Sequence, residues 1–207
     1  MLVSRLHYIS QALNGYSHAE MIERALASGV DWVQLRVKNE PEDFILNQAQ
    51  QARALCSRFG AKLIINDHPA VAKAVGADGV HLGLSDISVS EARKLLGAKA
   101  IIGGTCNTYE DVKRRIAEGV DYVGLGPYRF TKTKEKLSPV LGLDGYRSLM
   151  KFLGEVNPQI PVIAIGGITI EDIHPLRDAG VHGVALASLI NHADAPEKVI
   201  TEIKTKL

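Results

Sequence analysis

A chain of 207 residues, 46% hydrophobic and 23% charged, has the make-up of an ordinary globular protein that folds in water. Its 24 basic residues nearly balance 23 acidic ones, and a formal net charge of +1 argues against bulk attachment to nucleic acid or to an anionic membrane. No apolar run reaches the ~18 residues needed to span a bilayer, and the stretch from Met1 to His7 enters a strand at once, leaving no room for a signal peptide. Short runs rich in Val, Ile and Leu predict strands near 6–10, 32–36, 62–66, 79–83, 101–105, 122–126, 161–166 and 183–187. Helices fill the intervals, and four of them start with a capping box: Ser17/Glu20, Ser88/Glu91, Thr108/Asp111 and Thr169/Asp172. Those eight residues have a structural task and leave the functional list. Gly29, Gly119 and Gly180 suit the position just past a helix C-terminus, where positive φ is wanted. The stretch 127–142 reads as the longest loop, of the kind that is functional or mobile. Cys56 and Cys106 lack a CxxC neighbour and read as reduced, structural thiols, so the expected location is the cytoplasm.

One string organises the chain. Gly29-Val-Asp-Trp-Val-Gln-Leu35 returns as Gly76-Ala-Asp-Gly-Val-His-Leu82, Gly119-Val-Asp-Tyr-Val-Gly-Leu125 and Gly180-Val-His-Gly-Val-Ala-Leu186. The steps are 47, 43 and 61 residues, and a single βα unit needs about 25–30, so each step holds two units. Four such pairs predict eight strands and eight helices, an α/β protein folded as one (β/α)8 TIM barrel over residues 1–207.

In that architecture the active site sits at the C-terminal mouth, so the residues that end each strand carry the functional information. They are Gln34, Arg36 and Lys38; Asn66 and Asp67; Ser85 and Asp86; Gly104 and Thr105; Thr131 to Lys134; Gly166 and Gly167; Ala187 and Ser188. Gln34, Arg36 and Lys38 share a parity that points them into the mouth, with Val33, Leu35 and Val37 facing the helices. Two cations and an amide converging there call for an anion, the competing reading being internal ion pairs to Asp67 or Asp86. Asp67 and Asp86 close adjacent strands, and two carboxylates held together repel unless a proton or a cation intervenes. With oxygen ligands and no histidine–cysteine cluster, Mg²⁺ is the expected ion; capping of the helix before Pro69 is the alternative role for Asp67. Thr131, Lys132, Thr133 and Lys134 offer hydroxyls and ammonium groups to an oxyanion, or form a solvated basic loop. Gly166, Gly167 and Ser188 occupy the frequent phosphate site of such barrels. Gly124, Gly126, Ala185 and Ala187 leave the mouth open between strands 6 and 8. His81 reads as a packed residue rather than a metal ligand, and the other six histidines show no ligand spacing.

Arg36, Lys38, Lys134 and a divalent ion, set against two aspartates, leave a net charge of about +3, which matches the roughly −3 of an organic diphosphate. The second anion site suits a monophosphorylated ligand. No nucleophile or general base stands out, so the expected chemistry is alkyl transfer with diphosphate as leaving group, driven by electrostatics and positioning.

The set Gln34-Leu-Arg36-x-Lys38, Ile65-Asn66-Asp67, Gly79-Val-His-Leu-Gly83-x-x-Asp86, Asp121-Tyr-Val-Gly-Leu-Gly-Pro127, Thr131-x-Thr133-Lys134 and Ala164-Ile-Gly-Gly-Ile168 closely resembles the thiamine-phosphate synthase family. The resemblance runs from the first strand to the last helix. It implies joining of hydroxymethylpyrimidine diphosphate to thiazole phosphate, with thiamine phosphate and diphosphate as products. It also implies that Gln34, Leu35, Arg36, Val37, Lys38, Asn66, Thr105 and Lys134 hold the pyrimidine diphosphate, with Arg36, Lys38 and Lys134 as the catalytic cations. Asp67 and Asp86 are then the Mg²⁺ ligands, and Thr131, Lys132, Thr133, Gly167, Ala187 and Ser188 hold the thiazole phosphate. Two positions depart from the family pattern: Thr105 stands where serine is common, and Leu84 where glutamine is common. The related thiazole tautomerases can lack the aspartates and carry histidine where this chain has Pro127, and a non-catalytic binding homologue would be expected to lose the Mg²⁺ ligands or Lys134. The sequence leaves a homo-oligomer open.

Overall fold

The computed structural model describes residues 3–13, 15–130, 139–157 and 159–207. Eight parallel strands close into a barrel in chain order: β1 (Leu6–Ile9), β2 (Trp32–Leu35), β3 (Lys62–Asn66), β4 (Gly79–Leu82), β5 (Ile101–Cys106), β6 (Tyr122–Leu125), β7 (Val162–Ile165) and β8 (Gly183–Leu186). Each predicted strand is present to within a residue or so. Closure joins Leu6 of β1 to Val184 of β8, which leaves no free sheet edge.

The helices form the outer ring: α1 (His18–Ala27), α2 (Glu42–Phe59), α3 (Pro69–Ala74), α4 (Val89–Leu96), α5 (Tyr109–Glu118), α6 (Gly142–Val156), α7 (Ile170–Asp178), α8 (Ser188–Asn191) and α9 (Pro196–Lys206). Reciprocal capping boxes open α1, α4 and α5 from Ser17, Ser88 and Thr108. At α7, the backbone N–H and hydroxyl of Thr169 both donate to Asp172 Oδ2, at 2.8 and 2.9 Å. Instead of the expected single helix after β8 there are two, α8 and α9. The break falls before Pro196, which disfavours helical backbone at Ala195 (φ −125°, ψ 77°) and starts a new helix.

Strand alternation sorts the apolar residues into two layers. Val33, Leu35 and Val37 join the large layer between barrel and helices, whereas Trp32, Ile64, Ile101, Tyr122 and Ile163 fill the barrel interior. The repeat has a physical cause at the opposite, N-terminal face. Asp78 accepts the backbone N–H of Leu63 at 2.9 Å, and Asp121 accepts that of Ile102 at 2.7 Å. Asp31 accepts the Ser4 hydroxyl at 2.8 Å, and His182, the departure in the fourth copy, bonds Val3 O at 2.9 Å. The recurrent aspartate thus ties the start of one strand to the strand before it, which is a stability role at the face remote from the active site. Cys56 and Cys106 are free and buried, and burial pushes both thiols up to about 12.

Candidate active site

The extension of β2 carries the first group of predicted residues. Gln34 is buried and donates from Nε2 to Asn66 Oδ1 at 3.0 Å, which couples the ends of β2 and β3. The backbone N–H of Arg36 donates to Ser10 Oγ at 3.1 Å, while its guanidinium has no carboxylate within 4.0 Å among the described residues. The internal ion-pair reading therefore fails for Arg36. It holds for Lys38, whose ammonium pairs with the Asp67 carboxylate. Leu35 and Val37 bury their side chains in the outer layer, so these two can meet a ligand through backbone atoms alone.

Asp67 has φ 65°, a left-handed conformation that costs energy for a residue other than glycine. Its backbone N–H donates to His81 O at 2.9 Å, and its side chain does not cap α3, which starts from His68 without a side-chain cap. Asp86 Oδ2 accepts the backbone N–H of Gly83 at 2.6 Å. A carbon added to Gly83 Cα would lie 3.2 Å from Asp86 Oδ2 and 3.7 Å from Asp67 Oδ1. The two carboxylates thus converge near the Gly83 Cα, where a side chain would fit only tightly. Burial, and then the hydrogen bond and negative charge of Asp67, raise the Asp86 carboxyl above its usual range. A part-buried carboxylate pair, with one member resisting ionisation, suits a hard cation that takes its remaining ligands from phosphate and water. Among the described residues there is no cluster of three or more His, Cys, Asp or Glu side chains, so a protein-only metal cage is absent there.

Below the mouth lies a small recess of about 80 Å³ lined by Gln34, Arg36, Asn66, His81, Thr105 and Gly124, among others. His81, buried as expected, bonds Tyr122 Oη from Nδ1 at 3.0 Å and Thr105 Oγ1 from Nε2 at 2.9 Å. His7 stacks on Trp32 with ring centroids 4.4 Å apart, and burial followed by the proximity of His81 pushes it down to about 3. The recess thus has a neutral imidazole beneath it.

A larger cavity of about 290 Å³ opens beside it, walled by Ile9, Gln11, Arg36, Pro127, Gly166, Gly167, Ala187 and Ser188. Arg36, Ile9, Ile165 and Ala185 border both spaces. Among the described residues, the barrel mouth therefore presents two adjoining pockets with Arg36 in their common wall.

A family model described as "Thiamine monophosphate synthase" matches residues 6–190. The chain belongs to the thiamine monophosphate synthase family. It is 45% identical over 206 residues to a thiamine-phosphate synthase of Flavobacterium johnsoniae, covering 100% of this chain and 97% of that one. It is 47% identical over 191 residues to one of Bacteroides fragilis, covering 92% and 94%. The solved structure of a thiamine phosphate pyrophosphorylase from Pyrococcus furiosus superposes with TM-score 0.84 at 29% identity, over 98% of this chain and 94% of that chain.

Within this member of the thiamine monophosphate synthase family, the structure brings Gln34, Arg36, Asn66 and Thr105 around one recess and Gly167, Ala187 and Ser188 around the adjoining cavity. Lys38, Asp67 and Asp86 gather at the rim between β2 and β4. Thr131, Lys132, Thr133 and Lys134 lie outside the described residues. The expectation that Gly126 opens the mouth is corrected. A Cβ there would sit 2.2 Å from the carbonyl oxygen of Ile165, so this glycine allows two backbones to touch and leaves no space. Gly124 does line the recess, with His81 Cε1 2.8 Å from where its Cβ would be. Leu84, one of the two departures from the family pattern, is exposed, and nothing among the described residues replaces the missing polar group.

Arg129, which the sequence pattern did not single out, braces the loop after β7. Its backbone N–H donates to Gly166 O at 2.9 Å, and Nη1 donates to Gly167 O at 3.0 Å. Both terminal guanidinium nitrogens bond Asp172, Nη2 at 2.7 Å to Oδ1 and Nη1 to Oδ2. Burial alone would raise the Asp172 carboxyl, but Arg129 and the Thr169 donors outweigh it and hold the group down at about 2. Asp172 is therefore both a helix cap and the anchor of a brace on the loop after β7.

Proposed function

We infer that this chain joins hydroxymethylpyrimidine diphosphate to thiazole phosphate, releasing thiamine phosphate and diphosphate. The single observation that carries the reading is the pair of adjoining pockets sharing Arg36, within a chain of this family. In the proposed reaction the C–O bond between the pyrimidine methylene and the diphosphate breaks, and the thiazole nitrogen lone pair forms the new C–N bond. Both electrons of the broken bond leave with the diphosphate.

Gln34, Asn66 and Thr105 hold the pyrimidine ring in the recess, where their fixed hydrogen bonds limit its rotation. Arg36, Lys38 and Lys134 face the leaving diphosphate and stabilise the charge that grows on it as the bond lengthens. Gly167, Ala187 and Ser188, together with Thr131 to Thr133, hold the thiazole phosphate and set its nitrogen against the methylene carbon. Asp67 and Asp86 would hold Mg²⁺, consistent with their convergence over Gly83 and the raised Asp86 carboxyl. That ion, when bound, neutralises diphosphate oxygens. Lys38 already lies against Asp67, so one of the two rim carboxylates is paired before substrate arrives. Two buried free thiols suit a reducing compartment, and we place the enzyme in the cytoplasm. No helix among the described residues is long and apolar enough to cross a membrane.

Purified protein supplied with both substrates, with and without Mg²⁺, tests the reading. Thiamine phosphate should appear only when both substrates are present and should depend on the metal. Absence of product with both substrates and Mg²⁺ would overturn it.

A further inference from the structure

A chain of three polar groups, two of them buried, ends at the wall of the larger cavity, and its polarity can be read from its buried end. Tyr8 is fully buried and its hydroxyl donates to Asn191 Oδ1 at 2.7 Å. A phenol has one proton to give, and the Asn191 oxygen is the acceptor within hydrogen-bond distance of it. The reverse arrangement, with the Asn191 nitrogen facing Tyr8, would leave a buried phenolic proton unpaired. The Asn191 amide is thereby fixed: its oxygen turns to Tyr8, and Nδ2 donates to Gln11 Oε1 at 3.2 Å. With its oxygen engaged, Gln11 is left with its NH₂ end to offer.

Gln11 lines the larger cavity together with Gly167 and Ser188. Asn191 belongs to the same short turn as Ser188, its N–H donating to Ala187 O at 2.9 Å, and Arg24 Nη1 holds its carbonyl at 3.2 Å. The relay therefore connects the loop after β1 to the turn after β8 and keeps the amide in place before any ligand enters.

We propose that the Gln11 carboxamide is a binding residue of the larger cavity, donating N–H to an oxygen of a monophosphate ligand and held in that orientation by Tyr8 through Asn191. This rests on the reading of that cavity as the site of the phosphorylated thiazole. A neutral amide donor at this wall favours an anion and disfavours a ligand that presents donors there. Gln11 lines the larger cavity and is absent from the lining of the recess, so it adds recognition for one ligand without touching the other.

Gln11→Glu tests this, because it keeps size and replaces the donor with a carboxylate. KM for thiazole phosphate should rise about tenfold to a hundredfold, as expected for loss of a hydrogen bond to a charged group. KM for the pyrimidine diphosphate should stay within about twofold, the two pockets being separate. Calorimetric titration of the protein with inorganic phosphate alone should show the same weakening. Tyr8→Phe leaves Gln11 intact but frees Asn191 to flip, and should raise the same KM by a smaller factor. An unchanged thiazole phosphate KM and phosphate affinity in Gln11→Glu would overturn the proposal, as would a uniform loss across both substrates together with a lowered Tm, which would make Gln11 a structural residue. An unchanged KM in Tyr8→Phe would overturn the relay. If the wild-type protein forms no thiamine phosphate, the functional reading fails and the phosphate titration alone decides the role of Gln11.

Discussion

Replacing Arg129 with alanine should damage stability and one substrate site together. The guanidinium donates to both oxygens of Asp172 and to Gly167 O, and Asp172 keeps only 8% of its side chain exposed. Hydrogen bonds to charged groups contribute about 1.5–3 kcal/mol each, and a buried carboxylate stripped of its partner costs more. Arg129 itself is half exposed, which screens the pair, so a net loss of about 2–3 kcal/mol is the reasonable figure. For a chain of this size that corresponds to a fall in Tm of about 4–12 °C. The Gly166–Gly167 loop would keep the backbone bond to Gly166 O but lose the side-chain tether to Gly167 O, and KM for thiazole phosphate should rise about tenfold while that for the pyrimidine substrate moves little. The pH dependence adds an independent check. Asp172 is depressed to about 2, so its contribution is complete above the ordinary carboxylate range and is lost as pH falls through about 2. The stability gap between wild type and Arg129→Ala should therefore be full at neutral pH and close between about pH 4 and pH 2. Calorimetry across that range with steady-state kinetics is the assay. A Tm within about 1 °C of wild type at neutral pH, or equal changes in both KM values, would refute the brace.

Three further outcomes follow from the two pockets. Arg36→Ala should lower turnover by orders of magnitude, because a charge-assisted contact is lost as leaving-group charge grows, and turnover within a few-fold of wild type would make Arg36 structural. Ser188→Ala should raise the thiazole phosphate KM and leave the pyrimidine KM nearly unchanged; equal damage to both would mean one shared pocket. Asp86→Asn keeps the shape of the site but removes a negative charge, so half-maximal rate should need more Mg²⁺ and excess Mg²⁺ should restore part of the activity. Full activity of chelator-treated wild type would remove the metal role and leave Asp67 as the partner of Lys38.

Much of this was legible in the sequence because barrels repeat. Strand period and the Gly-x-Asp copies located the eight strands, and strand ends located Gln34, Arg36, Asn66, Asp67 and Asp86. Parity alone put Leu35 and Val37 in the outer layer. What the pattern hid were partnerships that exist only after closure. Gln11 and Asn191 stand 180 residues apart and meet because β8 pairs with β1. Asp172 looked fully used as a cap, yet a carboxylate has two oxygens, and Arg129 takes the capacity that Thr169 leaves. Gly126 misled for a related reason. A missing side chain can make room for a ligand or for a neighbouring backbone, and the answer depends on Ile165, a residue of the next strand. The doubled helix after β8 was signalled by Pro196 but concealed by counting one helix per unit.

The account stands most directly on whether the mouth holds two ligands side by side. A crystal structure with a non-reactive pyrimidine diphosphate analogue and thiazole phosphate bound together measures this. The diphosphate should lie against Arg36 and Lys38, near Asp67 and Asp86, and the monophosphate between Gly167 and Ser188, with Arg36 in the wall between them. Both phosphate groups found in one pocket, or competition between the two ligands for a single site, would contradict it.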